Sequence, residues 1–354
     1  MKKAPFPVSE DQQTAISPTL EDVARSAGVS TATVSRCLNN PSVVSEKTRK
    51  KVLDAVKALG YTPNFGAQAL AAKRTRTFGA IIPTMENAIF ARGLQAFQEE
   101  LQRHGITLLV ASSSYNPELE EEQIRSLVAR GADALLLIGF DRTPQVYEFL
   151  KKQQIPSVVA WVYDQENAQL SIGFDNRKAM QDLAEQVLDL GHHTMAFVTA
   201  DLNGNDRARL RCEGVKQAML SRDVDPNSLH VIETPYSIAN GAQAFEDAMQ
   251  LTPRPTAIMC GNDVLAAGAL IQARKMGIKV PEDVSITGFD DIEIAEIVTP
   301  PLTTVHVPHR NMGKGAARLL VALRKGENPG PSVELDATTT IRDSLGPAPK
   351  VLGL

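Results

Sequence analysis

Short polar side chains and two arginines lie within residues 19–39 of the sequence. This stretch has the caps, the apolar spacing and the central Gly28 of two short helices that meet at a tight turn. In the second helix Val34 and Leu38 lie four residues apart and face inward. The side chains left near its exposed N-terminal end are Thr31, Ala32, Thr33, Ser35 and Arg36. Hydroxyl and guanidinium groups bind base edges and phosphates, so the pattern is typical of a helix-turn-helix DNA reader, although an ordinary αα-hairpin has the same outline.

Other polar side chains come directly after apolar segments that are predicted to be parallel strands. Asp290 follows one such strand and Asn262 follows another, while a loop after a third strand carries Arg207, Arg209 and Arg211. Since the carboxyl ends of parallel strands meet at one edge of a sheet, these groups are expected to face a common cleft. A carboxylate and an amide suit sugar hydroxyls, whereas a guanidinium binds a carboxylate or a phosphate. Capping of the following helix is the competing interpretation for Asn262 and Asp290, and for Asp263 both interpretations stay open.

Aromatic side chains are expected at the same edge. Trp161 ends the segment Ser157–Trp161, so its indole ring is directed at the cleft, where it could stack on a sugar; a single tryptophan is otherwise typical of a core. Asn87 and Phe90 come after the first predicted strand, and Phe140 comes after the third. These residues complete a candidate site for a small hydroxylated molecule.

The two short helices belong to a basic N-terminal unit, called the headpiece below (residues 19–62). Thr19 and Ser30 are placed to cap its first two helices, and Ser45 is placed to cap a third helix that ends at Gly60. Residues 1–76 carry a net charge of +6, whereas residues 77–354 carry −10, within an overall charge of −4. A basic unit on an acidic body fits a protein that places one end on nucleic acid phosphates.

From Phe78 onward, apolar segments alternate with amphipathic helical stretches, which predicts an α/β fold with two similar halves, each a Rossmann-like parallel sheet covered by helices. Strands are predicted at Phe78–Pro83, Ile106–Ala111, Ala134–Ile138 and Ser157–Trp161 in the first half, and at Met195–Thr199, His230–Glu233, Ala257–Cys260 and Val284–Phe289 in the second. Helices are predicted at Ala91–His104, Pro117–Arg130, Pro144–Gln153, Met180–Leu190, Arg209–Ser221, Gly241–Leu251 and Val264–Met276.

Composition and motifs argue against several other classes of protein. No apolar run approaches the roughly 20 residues of a membrane span, and residues 1–18 have no apolar core of a signal peptide, so they are expected to be a disordered extension. Cys37, Cys212 and Cys260 are odd in number and far apart, which favours reduced thiols in a cytoplasmic protein over disulfides or a metal site. Phosphate-loop, dinucleotide, nucleophile-elbow and metalloprotease motifs are missing from the sequence, so we expect neither a cofactor nor an enzyme.

The resemblance to a known family becomes specific after the headpiece. The chain continues Tyr61-Thr-Pro-Asn64 and Ala67-Gln-Ala-Leu70-Ala-Ala-Lys-Arg-Thr75, and it carries Asp-Val-Ala, Gly-Val-Ser, Thr-Val-Ser-Arg and, much later, Gly-Phe-Asp-Asp. With these motifs, residues from about 19 to 345 resemble the LacI/GalR family of bacterial transcriptional regulators. The resemblance implies a homodimeric repressor that binds a palindromic operator and is released by a sugar or a sugar acid such as 2-ketogluconate or gluconate. Regulation by a neutral monosaccharide is the alternative, and a sugar-processing enzyme is disfavoured.

The resemblance assigns DNA contacts to two segments. Those in the headpiece are Thr19, Ser30, Thr31, Ala32, Thr33, Ser35, Arg36 and Asn39, and those in the hinge (residues 63–76) are Asn64, Ala67, Gln68 and Leu70. The hinge is alanine-rich but too short to hold as an isolated helix, so it is expected to fold on DNA, where Leu70 would wedge between base pairs. Gln68 stands where the family most often has arginine, and this departure leaves the minor-groove contact at that position open.

The resemblance also assigns the effector site and the domain boundaries. Arg211 matches the family's effector-binding arginine, Tyr236 matches a ring that stacks on the effector, and Arg209 is expected at the surface. The full set is Asn87, Phe90, Phe140, Trp161, Arg207, Arg211, Tyr236, Asn262 and Asp290. Residues 77–345 would form the effector domain, with one half at about 77–173 and 306–333, the other at about 174–305 and 334–345, and a tail at 346–354. The chain would cross between the halves about three times, as in periplasmic sugar-binding proteins, and dimerisation would bury faces such as that of Ala91–Arg103.

Overall fold

A computed structural model describes residues 18–62, 75–86 and 88–349 of the chain. The chain forms two compact units, Met1–Thr75 and Arg76–Leu354, and each is treated by itself below. Several residues assigned above lie outside the described residues, namely Asn64, Ala67, Gln68, Leu70 and Asn87, and so does the side chain of Asn39.

The headpiece contains α1 (Leu20–Ala27), α2 (Thr31–Asn39), a 3-10 turn (Pro41–Val43) and α3 (Glu46–Leu59). The predicted caps are confirmed. Thr19 and Asp22 form a reciprocal capping box, in which the Asp22 backbone N–H donates to Thr19 Oγ1 at 3.3 Å. Ser30 accepts from the Thr33 N–H at 3.2 Å, and Gly28 (φ 65°) takes the left-handed conformation that ends α1. The local sequence therefore sets both ends of the turn between α1 and α2.

One small core holds the three helices of the headpiece together. Val23, Val34 and Val52 contribute one fully buried side chain from each helix, and Cys37 and Tyr61 pack against them. Burial of these faces leaves the N-terminal end of α2 at the surface, as the sequence predicts.

The first half of the body is a six-stranded parallel sheet in the order β2-β1-β3-β4-β5-β11. The strands are β1 (Thr77–Ile82), β2 (Thr107–Ser112), β3 (Ala134–Ile138), β4 (Ser157–Ala160), β5 (Ser171–Gly173) and β11 (Val333–Glu334). The helices of this half are α4 (Ala91–Arg103), α5 (Pro117–Ala129), α6 (Pro144–Lys152) and α12 (His309–Lys325). β1 and β3 are almost entirely apolar and are buried along their whole length, as expected of a parallel sheet covered on both faces.

The second half is a four-stranded parallel sheet in the order β7-β6-β8-β9. The strands are β6 (Met195–Thr199), β7 (His230–Glu233), β8 (Ala257–Cys260) and β9 (Ser285–Thr287). The helices of this half are α7 (Asn176–Asp189), α8 (Asp206–Ser221), α9 (Ile238–Met249), α10 (Asp263–Lys275) and the short α11 (Ile294–Ile297), with a 3-10 turn at Pro226–Ser228. An antiparallel pair, β10 (Thr304–His306) with β12 (Thr338–Thr340), completes the body.

The chain passes between the two halves at three places, which confirms the predicted crossing pattern. It leaves the first sheet after β5, returns from β10 into α12, and leaves again between β11, which pairs with β5, and β12, which pairs with β10. The fold class is therefore the predicted one. The prediction was wrong about residues 206–211, which form the first turns of α8 and not a loop, because the Asn205 side chain caps the helix by accepting from the Ala208 N–H at 3.3 Å.

Two further findings concern the described residues alone. No helix among them is long and apolar enough to cross a membrane. Cys37, Cys212 and Cys260 are all buried free thiols.

Candidate functional site

A cavity lies between the two halves of the body, where the carboxyl ends of both sheets face each other; it is called the central cavity below. It encloses about 350 Å³ of empty space, counting the part open to solvent. Seven residues of the predicted effector set line it: Phe90, Trp161, Arg207, Arg211, Tyr236, Asn262 and Asp290.

Arg211 is a buried cation without a carboxylate partner among the described residues. It extends from the second turn of α8 and is only 7% exposed. Its Nη2 donates to the Tyr236 hydroxyl at 3.2 Å, and its guanidinium carbon lies 4.7 Å from the centre of the Phe289 ring. Its buried Nε has no hydrogen-bond partner. Arg211 therefore keeps hydrogen-bond donor capacity toward the cavity.

The other two arginines of α8 are paired. Arg207 is buried, and its Nη1 lies 2.6 Å from the Asp206 carboxylate and 3.2 Å from the Ile138 carbonyl of the first half. Arg209 is half exposed and makes a bidentate ion pair with Asp141, with two contacts of 2.8 Å. The prediction that Arg209 lies at the surface is thus confirmed, and the charge of Arg207 is already balanced.

Asp290 brings a carboxyl group into the same cavity. It follows β9, and its backbone is held by an N–H bond to the Val305 carbonyl at 3.0 Å, with a φ of 104°. Burial raises the pKa of Asp290 to about 7, while the positive charges of Arg211 and Arg207 act in the opposite direction. The carboxyl group of Asp290 therefore changes charge near neutral pH.

Aromatic rings form the wall on the side of the first half. Phe90 and Trp161 meet edge to face with 5.4 Å between ring centres. The Trp161 Nε1–H donates to His309 Nδ1 at 3.2 Å, so His309 carries its proton on Nε2 and donates it to the Asp290 carbonyl at 3.1 Å. Burial lowers the pKa of His309 to about 4, which keeps the imidazole neutral. This chain of hydrogen bonds links the ring wall of one half to the acid of the other.

Two amides present unused polar atoms. Asn262 caps α10 by accepting from the Leu265 N–H at 2.9 Å, and its buried Nδ2 has no partner. Asn176 donates to the Trp161 carbonyl at 3.0 Å, and its buried Oδ1 has no partner. Asn262 thus combines the two roles that the sequence left as alternatives, capping and lining. Buried polar atoms of this kind are normally satisfied, so a ligand hydroxyl is a suitable partner for each.

Two sequence-based candidates lie elsewhere. Phe140 does not line the central cavity; its side chain borders a separate groove beside α6, while its backbone N–H donates to Asp206 at 2.5 Å. Asp263 neither caps α10 nor lines the cavity, because its carboxylate holds the Thr304 hydroxyl and the Ile292 N–H at 2.5 and 2.8 Å.

Five lining residues escaped the sequence analysis: Ile89, Tyr115, Phe174, Asn176 and Asn205. Tyr115 and Asn176 lie three residues after the ends of β2 and β5, and the sequence analysis predicts no strand at β5. Tyr115, Trp161 and Asp290 share a left-handed backbone, with φ values of 57°, 64° and 104°. Left-handed non-glycine residues are rare and tend to gather at binding sites.

The headpiece presents a second candidate surface. Thr31, Ala32 and Arg36 are exposed on α2, and Thr33 and Ser35 are half buried beside them. The hydroxyl oxygens of Thr19 and Ser30 cap the helices by accepting hydrogen bonds from backbone N–H groups. A helix that exposes these side chains from a compact three-helix unit has the arrangement of a recognition helix.

These two sites define a class of protein, namely a DNA-binding regulator that carries a small-molecule receptor. Comparison with known proteins agrees. Residues 19–64 match the family of bacterial regulatory proteins, lacI family, and residues 184–345 match the periplasmic binding protein-like domain. The chain is 32% identical over 317 residues to the HTH-type transcriptional regulator GntR of Escherichia coli K12, covering 89% of this chain and 95% of that protein. It is also 32% identical over 315 residues to catabolite control protein A of Priestia megaterium, covering 89% and 95%.

Solved structures show the same architecture. A LacI-family transcriptional regulator from Silicibacter pomeroyi matches with a TM-score of 0.84 and 27% identity, over 93% of this chain and 99% of that one. The lac repressor dimer bound to operator and the anti-inducer ONPF matches with a TM-score of 0.81 and 28% identity, over 92% and 98%. The chain therefore belongs to the LacI family of bacterial regulatory proteins. It is a DNA-binding transcriptional regulator, and the relatives named here are regulators rather than enzymes.

Proposed function

We propose that this protein is a repressor that binds a palindromic operator as a dimer and is released from it by a sugar acid of the gluconate or 2-ketogluconate type. The observation that carries the choice of effector is the buried guanidinium of Arg211, which donates to the Tyr236 hydroxyl, leaves its Nε without a hydrogen-bond partner and makes no ion pair with a carboxylate of the described residues. A guanidinium binds a carboxylate through two parallel hydrogen bonds, and this anion would balance its charge.

A neutral monosaccharide is the second candidate. The unpartnered amide atoms of Asn176 and Asn262, the Asp290 carboxyl group and the Trp161 ring would all serve a sugar without a carboxylate. Calorimetric titration with gluconate and 2-ketogluconate, and in parallel with glucose and fructose, separates the two candidates. Binding of the acids alone supports the proposal, whereas binding of glucose or fructose alone makes the effector a neutral sugar.

The contacts between the two halves offer a route from effector to operator. Arg207 reaches the Ile138 carbonyl, Asp206 accepts from the Phe140 N–H, and Arg92 pairs with Glu293 at 3.1 Å. An effector among these groups would reset the angle between the halves, and we propose that this change lowers operator affinity by separating the paired hinges of the dimer. We also propose that one face of α4 forms part of the contact between the two subunits of the dimer.

We expect Arg36→Ala to weaken operator binding about fivefold, which corresponds to the loss of about 1 kcal/mol from one side-chain contact to DNA. Fluorescence anisotropy with a palindromic operator selected from random DNA would measure it. Arg25→Ala is the matched control, because Arg25 lies on α1 with 79% of its side chain exposed. Equal operator affinities of the two variants would mean that Arg36 does not contact the DNA.

Trp161 provides a direct signal for effector binding, because it is the only tryptophan of the chain and lines the central cavity. We expect a saturable change in its emission on titration with gluconate, with the same dissociation constant as calorimetry gives. Trp161→Phe should lose the signal. A heat of binding without any change in emission would place the effector away from this wall.

A further inference from the structure

A second cavity adjoins the central cavity and is called the side cavity below. It also lies between the two halves, because Asn116 and Glu120 of the first half and Gly204 of the second half are among the residues that line it. Tyr115 and Arg207 line both cavities, so these two side chains stand between them. Without this wall, the two cavities would form a single site.

Tyr115 is held firmly in the wall. Ser114 and Tyr115 have φ values of 51° and 57°, and the turn is closed by a hydrogen bond from the Asn116 N–H to the Ser113 carbonyl at 2.9 Å. The ring meets that of Tyr236 edge to face across the cleft, with 5.7 Å between ring centres. Arg207 is fixed in turn by Asp206 and by the Ile138 carbonyl. The two halves therefore contribute one wall residue each.

The side cavity has the chemistry of a sugar subsite but not of a carboxylate site. Ser113, Asn116, Glu120 and Asp141 line it. The two carboxylates are already paired, since Arg142 binds Glu120 at 2.6 Å and Arg209 binds Asp141. Hydroxyl groups can hydrogen-bond to these oxygens, and Arg207, the arginine that lines this cavity, is already paired with Asp206.

We propose that Tyr115 sets the length of the effector. This inference rests on the function proposed above. The Tyr115 ring limits the ligand to one sugar-acid unit in the central cavity. Removal of the ring would join the two cavities, so that a glycosylated sugar acid would bind with its acid unit at Arg211 and its second ring in the side cavity. Tyr115 is thus a specificity-determining residue.

The test compares gluconate with lactobionate, which is gluconate bearing a galactosyl ring, by calorimetry on the full chain. Tyr115→Gly removes the ring and suits the left-handed backbone, and Tyr115→Asn is a second variant that tolerates the same φ. We expect the ratio of lactobionate to gluconate affinity to rise at least about tenfold in both variants. Tyr115→Phe keeps the ring and should exclude lactobionate as the wild type does.

Failure of this inference and failure of the proposed function give different results. If the wild type binds gluconate and neither variant gains affinity for lactobionate, Tyr115 does not set the length. Equal binding of lactobionate and gluconate by the wild type overturns the inference as well. If the wild type binds glucose instead of gluconate, the sugar-acid proposal fails, and the same variants tested with glucose and cellobiose decide the role of Tyr115.

Discussion

Arg211→Ala is expected to abolish the response to the sugar acid while leaving operator binding intact. The guanidinium would supply two charge-assisted hydrogen bonds to the effector carboxylate, and their loss is worth about 3 kcal/mol, or roughly a 100-fold weaker affinity. The wild type and the variant are compared by calorimetry with gluconate, and by release of fluorescent operator DNA at increasing gluconate. The gluconate affinity of Arg211→Lys should fall between those of the wild type and Arg211→Ala, because an ammonium group keeps the charge but cannot make the two parallel hydrogen bonds of a guanidinium.

The controls distinguish the loss of the Arg211 contact to the effector from unfolding of the variant. Arg222→Ala removes an arginine just past the end of the same helix, where it pairs with Asp189 near the surface at 2.8 Å, and it should respond to gluconate like the wild type. Thermal unfolding of Arg211→Ala should remain a single cooperative transition, because the loss is confined to one hydrogen bond to Tyr236 and the contact with the Phe289 ring. A variant that stays folded and still releases the operator on addition of gluconate would take Arg211 out of the effector site.

Much of this site follows from one rule that can be applied to the sequence. Asn262 and Asp290 lie two and three residues after the ends of β8 and β9, and the carboxyl ends of parallel strands meet at one edge of a sheet, so both residues line the cavity. Trp161 follows β4 in the same way. The caps of the headpiece were equally predictable, because Thr19 and Ser30 act on backbone groups three residues away.

The errors arise where the chain turns sharply or where pairing is non-local. Phe140 was assigned to the cleft because it follows β3, but Gly139 has a φ of 75° and lies against the Arg207 guanidinium, and Phe140 borders a different groove. Tyr115 was missed because two consecutive left-handed residues, which nothing in the sequence signals, turn its ring into the cleft. Arg207 lines the cavity as predicted, but its guanidinium is already paired with Asp206, and its bond to the Ile138 carbonyl depends on the packing of two distant segments.

The affinity for the sugar acid is expected to rise about tenfold as the pH falls from 8 to 6. The pKa of Asp290 is about 7, so its carboxyl group is mostly ionised at pH 8 and mostly protonated at pH 6. An effector carboxylate beside it is repelled by the ionised form and binds the protonated form, and binding coupled to uptake of one proton gives a change of about tenfold over this interval. His309, with a pKa of about 4, stays neutral throughout.

Calorimetry at pH 6, 7 and 8 in buffers of different ionisation heat would measure both the affinity and the number of protons taken up. Asp290→Asn keeps the shape of the side chain without its charge, so it should bind gluconate at pH 8 about as tightly as the wild type does at pH 6, with no proton uptake. A neutral sugar that uses the Asp290 carboxylate as an acceptor would show the opposite slope, with affinity falling toward pH 6. The sign of the pH dependence therefore shows whether a bound ligand places a carboxylate or a neutral hydroxyl beside Asp290. A flat profile in the wild type would mean that Asp290 does not face the bound carboxylate.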